Sequence, residues 1–286
     1  MAQCFGFIGL GQMGGPMAAN IAGGGFSLVV HDQAGTHLGP DGAQGLDSNQ
    51  AVARESDSIF LSLPDGAISL AVVDEIAATE DRRSSVIIDL STIGPEAARA
   101  ADQCCRAAGI TYIDAPVSGG QAGARAGTIT IMLAGTKTVV DAHDDVFKSF
   151  SANPFYVGET PGQGQALKIL NNFLSGTAMA ATSEAMLYGL SEGLDMKTML
   201  DVVNVSTGQN TASRDKFPQR ILCGTFDAGF KTELLAKDVR LFFDNANAAG
   251  TPVRISEAVT RLWEDTNRAL PNSDFTRVYE FIRDEK

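Results

Sequence analysis

The stretch GFIGLGQMGGPMAAN, residues 6–20, passes from a short apolar run through a glycine-rich turn into helical spacing. The run QCFGFIG (3–9) predicts a buried strand. Met13, Met17, Ala18 and Ile21 then recur at helical intervals until Gly23, Gly24 and Gly25 end them. Gly9, Gly11 and Gly14 spell GxGxxG at this junction, with Leu10, Gln12 and Met13 between them. In a dinucleotide-binding turn the first glycine permits the tight turn and the second lets the backbone approach a pyrophosphate. The third lets helix and strand pack closely, with the phosphates at the positive helix N-terminus. In a chain with 30 glycines this spacing alone is weak. The next strand strengthens it: Leu28 to Val30 ends at His31 and Asp32, where a carboxylate can accept hydrogen bonds from the adenosine ribose hydroxyls. Gln33, Ala34 and Gly35 supply no cation, and no Lys or Arg precedes Arg54, so a 2′-phosphate would meet repulsion and no partner. The expected cofactor is NAD rather than NADP.

Outward from this unit, Ser58–Leu63, Val86–Asp89, Thr111–Ala115 and Thr128–Ala134 are further short apolar runs, most of them separated by helix-compatible segments. Strands alternating with helices predict an α/β fold, a doubly wound, mostly parallel sheet of the Rossmann type. GTHLGPDGAQG (35–45) is a poor helix within that rhythm. The alternation stops near Asn153–Val157 and the turn-rich stretch Gly158 to Gly164. Residues 165–192, 195–205, 232–250 and 253–270 then show helical periodicity. The expected organisation is a dinucleotide-binding domain over residues 1–161 and an all-helical domain over residues 162–286, serving substrate binding and oligomerisation. Phe173 to Leu190 is apolar over more than one helical face, which predicts burial on several sides and a homodimer or homotetramer.

A net charge of −12 argues against nucleic acid and anionic membranes as partners. The four cysteines form no zinc spacing and no disulfide framework, and fit reduced thiols. No basic n-region opens the chain, and the most apolar stretches carry Ser, Thr, Glu and Tyr. A soluble, cytoplasmic protein is expected.

The same strand–glycine–helix–acid pattern serves methyltransferases that bind S-adenosylmethionine, so it does not by itself imply hydride transfer. Zinc-dependent hydride chemistry needs a Cys/His ligand set, and His31, His37 and His143 have no ligand-like spacing. A Tyr-x-x-x-Lys pair is absent, because the four tyrosines are followed four residues later by Pro116, Thr160, Glu192 and Arg283. His31 and His37 fall on the adenosine side, and His143 sits among acids on what reads as a surface helix. Lysine remains as a proton carrier. GQGQALKILNNFLSG (162–176) puts Lys168 and Asn172 on one helix face, beside an apolar stripe of Leu167, Leu170 and Leu174. A lysine shielded by such a stripe can act as general acid or base near neutral pH. Asn172 could orient it or hydrogen-bond the reacting oxygen. A mid-helix lysine is more often a solvated surface charge, and the amides beside Lys168 do not exclude that.

Four segments taken together resemble the β-hydroxyacid dehydrogenases: GFIGLGQMGGPMAAN (6–20), DAPVSGGQAGARAGTITIMLAG (114–135), GQGQALKILNN (162–172) and KDVRL (237–241). They occur in family order and span nearly the whole chain. The resemblance implies a metal-free, NAD-dependent oxidoreductase with Lys168 as catalytic acid/base and Asn172 contacting the substrate. It implies that Ser118, Gly119 and Gly120 bind a substrate carboxylate through the hydroxyl and backbone N–H groups. Leu63 and Pro64 would line the cofactor, Thr92 would lie near the nicotinamide, and Lys237 would close over the cofactor. The region between Asp32 and Asp57 looks shorter than is usual in the family, which bears on the adenine contacts. No extra basic cluster points to a phosphorylated substrate. The C-terminal SDFTRVYEFIRDEK (273–286) resembles the tail of 3-hydroxyisobutyrate dehydrogenases, implying a small 3-hydroxy acid. Tartronate semialdehyde reduction is the alternative within the family. An imine reductase would be expected to lack the lysine, and a catalytically silent cofactor-binding protein is the alternative outside enzymes.

Overall fold

Adjacent apolar residues, one for each face, build the central strands. In a strand successive side chains point to opposite sides, so a sheet covered by helices on both faces needs both neighbours to be apolar. Phe5, Phe7, Val30, Phe60, Ile88 and Ile113 enter one buried cluster. Ile8, Val29, Ile59, Ile87 and Tyr112, from the same strands, enter the other. The computed structural model describes residues 3–284, which divide into two compact units, Met1–Lys168 and Ile169–Lys286.

The first unit carries β1 (Cys4–Ile8), β2 (Ser27–His31), β3 (Gln44–Gly45), β4 (Ser58–Leu61), β5 (Val86–Asp89), β6 (Thr111–Asp114), β7 (Val117–Ser118), β8 (Ile129–Ala134) and β9 (Ser151–Gly158). Their order is β3-β2-β1-β4-β5-β6-β8-β7, with β9 also paired to β8. The strands from β3 to β6 are parallel, whereas β8 is antiparallel to β6 and β7. The expected Rossmann-type architecture is therefore present. Helices α1 (Gly14–Gly23), α2 (Asn49–Glu55), α3 (Gly66–Ala77), α4 (Pro95–Ala107), α5 (Gly120–Ala126), α6 (Lys137–Ala142) and α7 (Asp144–Phe150) connect the strands. Ser48 caps α2 and Asp65 caps α3, their side chains accepting from Ala51 N at 3.1 Å and Ile68 N at 2.9 Å. The poor helix at 35–45 is instead a short 3₁₀ turn, Thr36–Leu38, followed by β3.

His143 departs from its expected surface position. It is 5% exposed and packs against Phe5 and Phe147. Its Nε2 lies 2.8 Å from Ser58 Oγ and its Nδ1 2.7 Å from the Val139 carbonyl. Burial lowers its pKa below the ordinary histidine value, so it is a neutral core residue. The acids around it in sequence, Asp141, Asp144 and Asp145, are on the outer side of α6 and α7.

Helix α8 (Gln163–Ser191) begins in the first unit and continues into the second. The second unit adds α9 (Met196–Val203), α10 (Thr232–Ala248), α11 (Arg254–Ala269) and α12 (Val278–Asp284). Its core centres on Trp263, Phe217, Val239 and Val278. Between α9 and α10 the chain forms wide π-type turns over Ala212–Ile221, with Pro218 inside. A proline there lacks an N–H and displaces the carbonyl four residues back, which disfavours a regular α-helix. Among the described residues no helix is long and apolar enough to cross a membrane.

Candidate active site

The strand order reverses at β1, which has β2 on one side and β4 on the other, so the turns after β1 and β4 flank a crevice at the carboxyl ends of the strands. Two glycines of the first turn are bare for different reasons. A Cβ on Gly14 would stand 1.9 Å from the Gly9 carbonyl oxygen, so the fold itself forbids it. A Cβ on Gly11 would meet nothing within 4 Å. The space beside it is open, which is what a backbone approached by a pyrophosphate requires. Asp32 is held at this turn, its Oδ2 accepting from Leu10 N at 2.6 Å and its Oδ1 from Ala34 N at 2.8 Å. A carboxylate has about four lone-pair sites, so both oxygens retain capacity for ribose hydroxyls.

The turns after β4 and β5 are laced together. Leu63 N donates to Ser91 Oγ at 2.8 Å, and Ser91 N donates to Asp89 Oδ1 at 2.9 Å. This ties Leu63 and Pro64 to the loop carrying Thr92. Ser118 ends β7, in register with Thr130 of β8. The exposed Gly119 and Gly120 lead into α5, a helix that the glycine- and alanine-rich sequence did not announce.

Around the start of α8, polar groups are buried in sequence-distant pairs. Asp114 Oδ1 accepts from Gly162 N at 3.0 Å and Oδ2 from Gln165 N at 2.8 Å. Burial raises the Asp114 pKa to about 7, although both amides favour its charged form. The Gln165 side chain is fully buried. Its Oε1 accepts from Ile93 N at 3.0 Å and Gly94 N at 3.2 Å, and its Nε2 donates to Ser91 O at 2.9 Å. Gln165, Lys168 and Asn172 follow at i, i+3 and i+7, one helix face. Lys168 is 8% exposed and Asn172 6%. The expectation of a shielding leucine stripe is corrected here: Leu167, Leu170 and Leu174 are the exposed side of α8. The polar face is the buried one.

In the second unit, Asn172 Nδ2 donates to Asp238 Oδ2 at 2.6 Å. Lys237 Nζ lies 3.4 Å from Asp238 Oδ1. The carboxylate only accepts, so it fixes the Asn172 amide with its nitrogen toward α10.

Residues 4–158 match the family model described as the NAD binding domain of 6-phosphogluconate dehydrogenase. Residues 162–282 match the one described as NAD-binding of NADP-dependent 3-hydroxyisobutyrate dehydrogenase. The chain is 37% identical to a 3-hydroxyisobutyrate dehydrogenase of Pseudomonas aeruginosa, with 97% of each chain covered. It belongs to the β-hydroxyacid dehydrogenase family.

As a member of that family it is an NAD(P)-dependent hydroxyacid dehydrogenase. It is also 35% identical to a 2-(hydroxymethyl)glutarate dehydrogenase of Eubacterium barkeri, over 91% of this chain and 87% of the relative. The solved 3-hydroxyisobutyrate dehydrogenase of Mycobacterium tuberculosis with L-serine superposes with a TM-score of 0.90 at 27% identity, covering 99% of this chain and 100% of that one. For a β-hydroxyacid dehydrogenase the sequence reading overlooked Asp114, Gln165 and Asp238. All three lie inside the segments that carried the resemblance, DAPVSGG, GQGQALK and KDVRL. The signal was a polar residue within a motif, but its burial and partners are tertiary facts.

Proposed function

We propose that this enzyme oxidises a small 3-hydroxy carboxylic acid with NAD, 3-hydroxyisobutyrate being the best single substrate, and that Lys168 carries the proton. The observation that supports this most is the near-complete burial of Lys168 on the helix face it shares with Gln165 and Asn172. The division of labour follows the sequence: residues 1–161 hold the dinucleotide, and residues 162–286 serve substrate binding and assembly. The backbone from Gly9 through Leu10, Gly11, Gln12 and Met13 to Gly14 faces the pyrophosphate and Asp32 the adenosine ribose. Leu63 and Pro64 line the cofactor, Thr92 lies near the nicotinamide, and Lys237 closes over the cofactor. NAD, when bound, supplies a hydride acceptor at its nicotinamide ring. The Ser118 hydroxyl and the Gly119 and Gly120 N–H groups fix the substrate carboxylate, which positions the reacting carbon. Lys168 in its amine form accepts the hydroxyl proton as the carbonyl forms, and returns it as an ammonium in the reductive direction. Asn172 contacts the substrate beside it.

The small molecules that the three relatives are named for or hold share a motif: a carboxylate whose neighbouring carbon bears CH₂OH. They differ in the substituent on that carbon, a methyl, a carboxyethyl or an amino group. The 2-(hydroxymethyl)glutarate relative supports a second reading, a bulkier C2 substituent on the same reacting core. The test is kcat/KM for 3-hydroxyisobutyrate, 2-(hydroxymethyl)glutarate, D-glycerate, L-serine and 4-hydroxybutyrate, each with NAD and NADP. A methyl pocket contributes only about 1–3 kcal/mol, so L-serine and glycerate should be slower rather than inert. Glycerate exceeding 3-hydroxyisobutyrate by about tenfold (near 1.4 kcal/mol) would favour tartronate semialdehyde chemistry instead. A preference for NADP would refute the role given to Asp32.

Assembly belongs to the same reading. Leu170, Leu174 and Tyr188 are 43%, 58% and 68% exposed along α8. A second copy covering them would give a dimer or tetramer. Light scattering at micromolar concentration should show one of these, and a stable monomer would overturn the assignment.

A further inference from the structure

Helix α8 starts without a cap of its own. Gly162 stands just before it with φ +99° and has no side chain to accept from the first amides. Asp114, at the end of β6 and 48 residues earlier, supplies the acceptor: one oxygen takes the Gly162 amide and the other the Gln165 amide. Those are the N-cap and N3 amides, the two donors that a local capping box would serve. A Cβ on Gly164 would come within 2.4 Å of the Met132 carbonyl oxygen and 2.8 Å of Asp114 Oδ2, so this turn lies directly on the strand ends. From the same turn, Gln165 spans the Ser91–Gly94 loop with three hydrogen bonds and is fully buried. Ser91 in turn holds Leu63 N.

We propose that Asp114 and Gln165 are positioning residues: they clasp the first turn of α8 to the ends of β5 and β6 and so fix the Lys168 amine relative to the Thr92 loop. The inference rests on the acid/base reading of Lys168. Lys168 is one turn beyond Gln165 on the same face, so a shift or tilt of that turn is transmitted to the amine through a rigid helix. A displacement of about 1 Å at a reacting group can cost on the order of 100-fold in rate.

The test compares the full-length enzyme with Gln165→Met, which keeps the length of the side chain and removes its three hydrogen bonds, and with Lys168→Ala. Asp114→Asn is the second clasp variant, should Gln165→Met fail to fold; it keeps the shape and leaves one amide facing an NH₂ group. Assays use the best hydroxyacid of the panel, well below the melting temperature of each variant. The expected result is a fall in kcat of about 10–100-fold, with the NADH dissociation constant within about twofold of wild type. The isotope effect with substrate deuterated at the hydroxyl-bearing carbon should rise, because a misplaced proton acceptor makes bond breaking more rate-limiting. A merely structural role would lower the active fraction and leave that isotope effect and KM unchanged. Wild-type kcat and isotope effect in a folded clasp variant, with Lys168→Ala inactive, would overturn the clasp alone. Substantial turnover by Lys168→Ala would remove the acid/base reading and the clasp with it.

Discussion

Lys168→Ala should lower turnover by about 10²–10⁴-fold, the range that a positioned proton carrier contributes, while NADH affinity stays nearly unchanged. Lys168 is 8% exposed, on a helix face whose other members, Gln165 and Asn172, are committed to hydrogen bonds. Water therefore has little access from which to replace it. Lys168→Arg should be as damaging as the alanine variant. It keeps the positive charge, but a guanidinium stays protonated at neutral pH and does not accept a proton. This pair separates general-base catalysis from simple electrostatic attraction for the carboxylate. Steady-state kinetics and NADH fluorescence titration read both quantities. More than about a tenth of wild-type turnover in Lys168→Ala would exclude the proposed role.

That lysine also shows where a single sequence stops being informative. The sheet was legible because its strands bury both faces, and runs such as Phe5–Ile8 and Val86–Ile88 are apolar without alternation. The long helices were legible from their period. Their orientation was not: in α8 the leucines at 167, 170 and 174 made the natural buried stripe, yet the polar Gln165, Lys168 and Asn172 are buried and the leucines exposed. Local pattern identifies a buried face by assuming that apolar means inside, and that assumption fails at sites built for chemistry. His143 misled in the same way, since its sequence neighbours are acidic while its packing partners, Phe5, Ser58 and Phe147, come largely from elsewhere. Helix α5 went unread because glycine and alanine carry no periodicity, and Ala212–Ile221 because wide π-type turns do not follow the α-helical period.

The largest contrast between two similar substitutions is expected at the first turn. Gly14→Ala should destabilise the fold by about 1–3 kcal/mol or more, as overpacking does, because the new methyl would stand 1.9 Å from a backbone oxygen that has no freedom to swing away. Gly9 cannot yield cheaply, since its own amide is held by the His31 carbonyl at 3.0 Å. Gly11→Ala should do the reverse. Gly11 does not occupy the positive-φ region, and its Cβ would meet nothing within 4 Å. Replacing a glycine at a compatible conformation stabilises by about 0.4–1 kcal/mol through the unfolded chain, so the melting temperature should hold or rise. NADH affinity should nevertheless fall by about tenfold or more, near 1.4 kcal/mol, because the methyl occupies the side from which the pyrophosphate approaches the backbone. Thermal melts and NADH titration of the two variants give four numbers. A Gly11→Ala enzyme that binds NADH as tightly as wild type would place the pyrophosphate elsewhere, and a Gly14→Ala enzyme with an unchanged melting temperature would mean that the turn and α1 separate more easily than their packing implies.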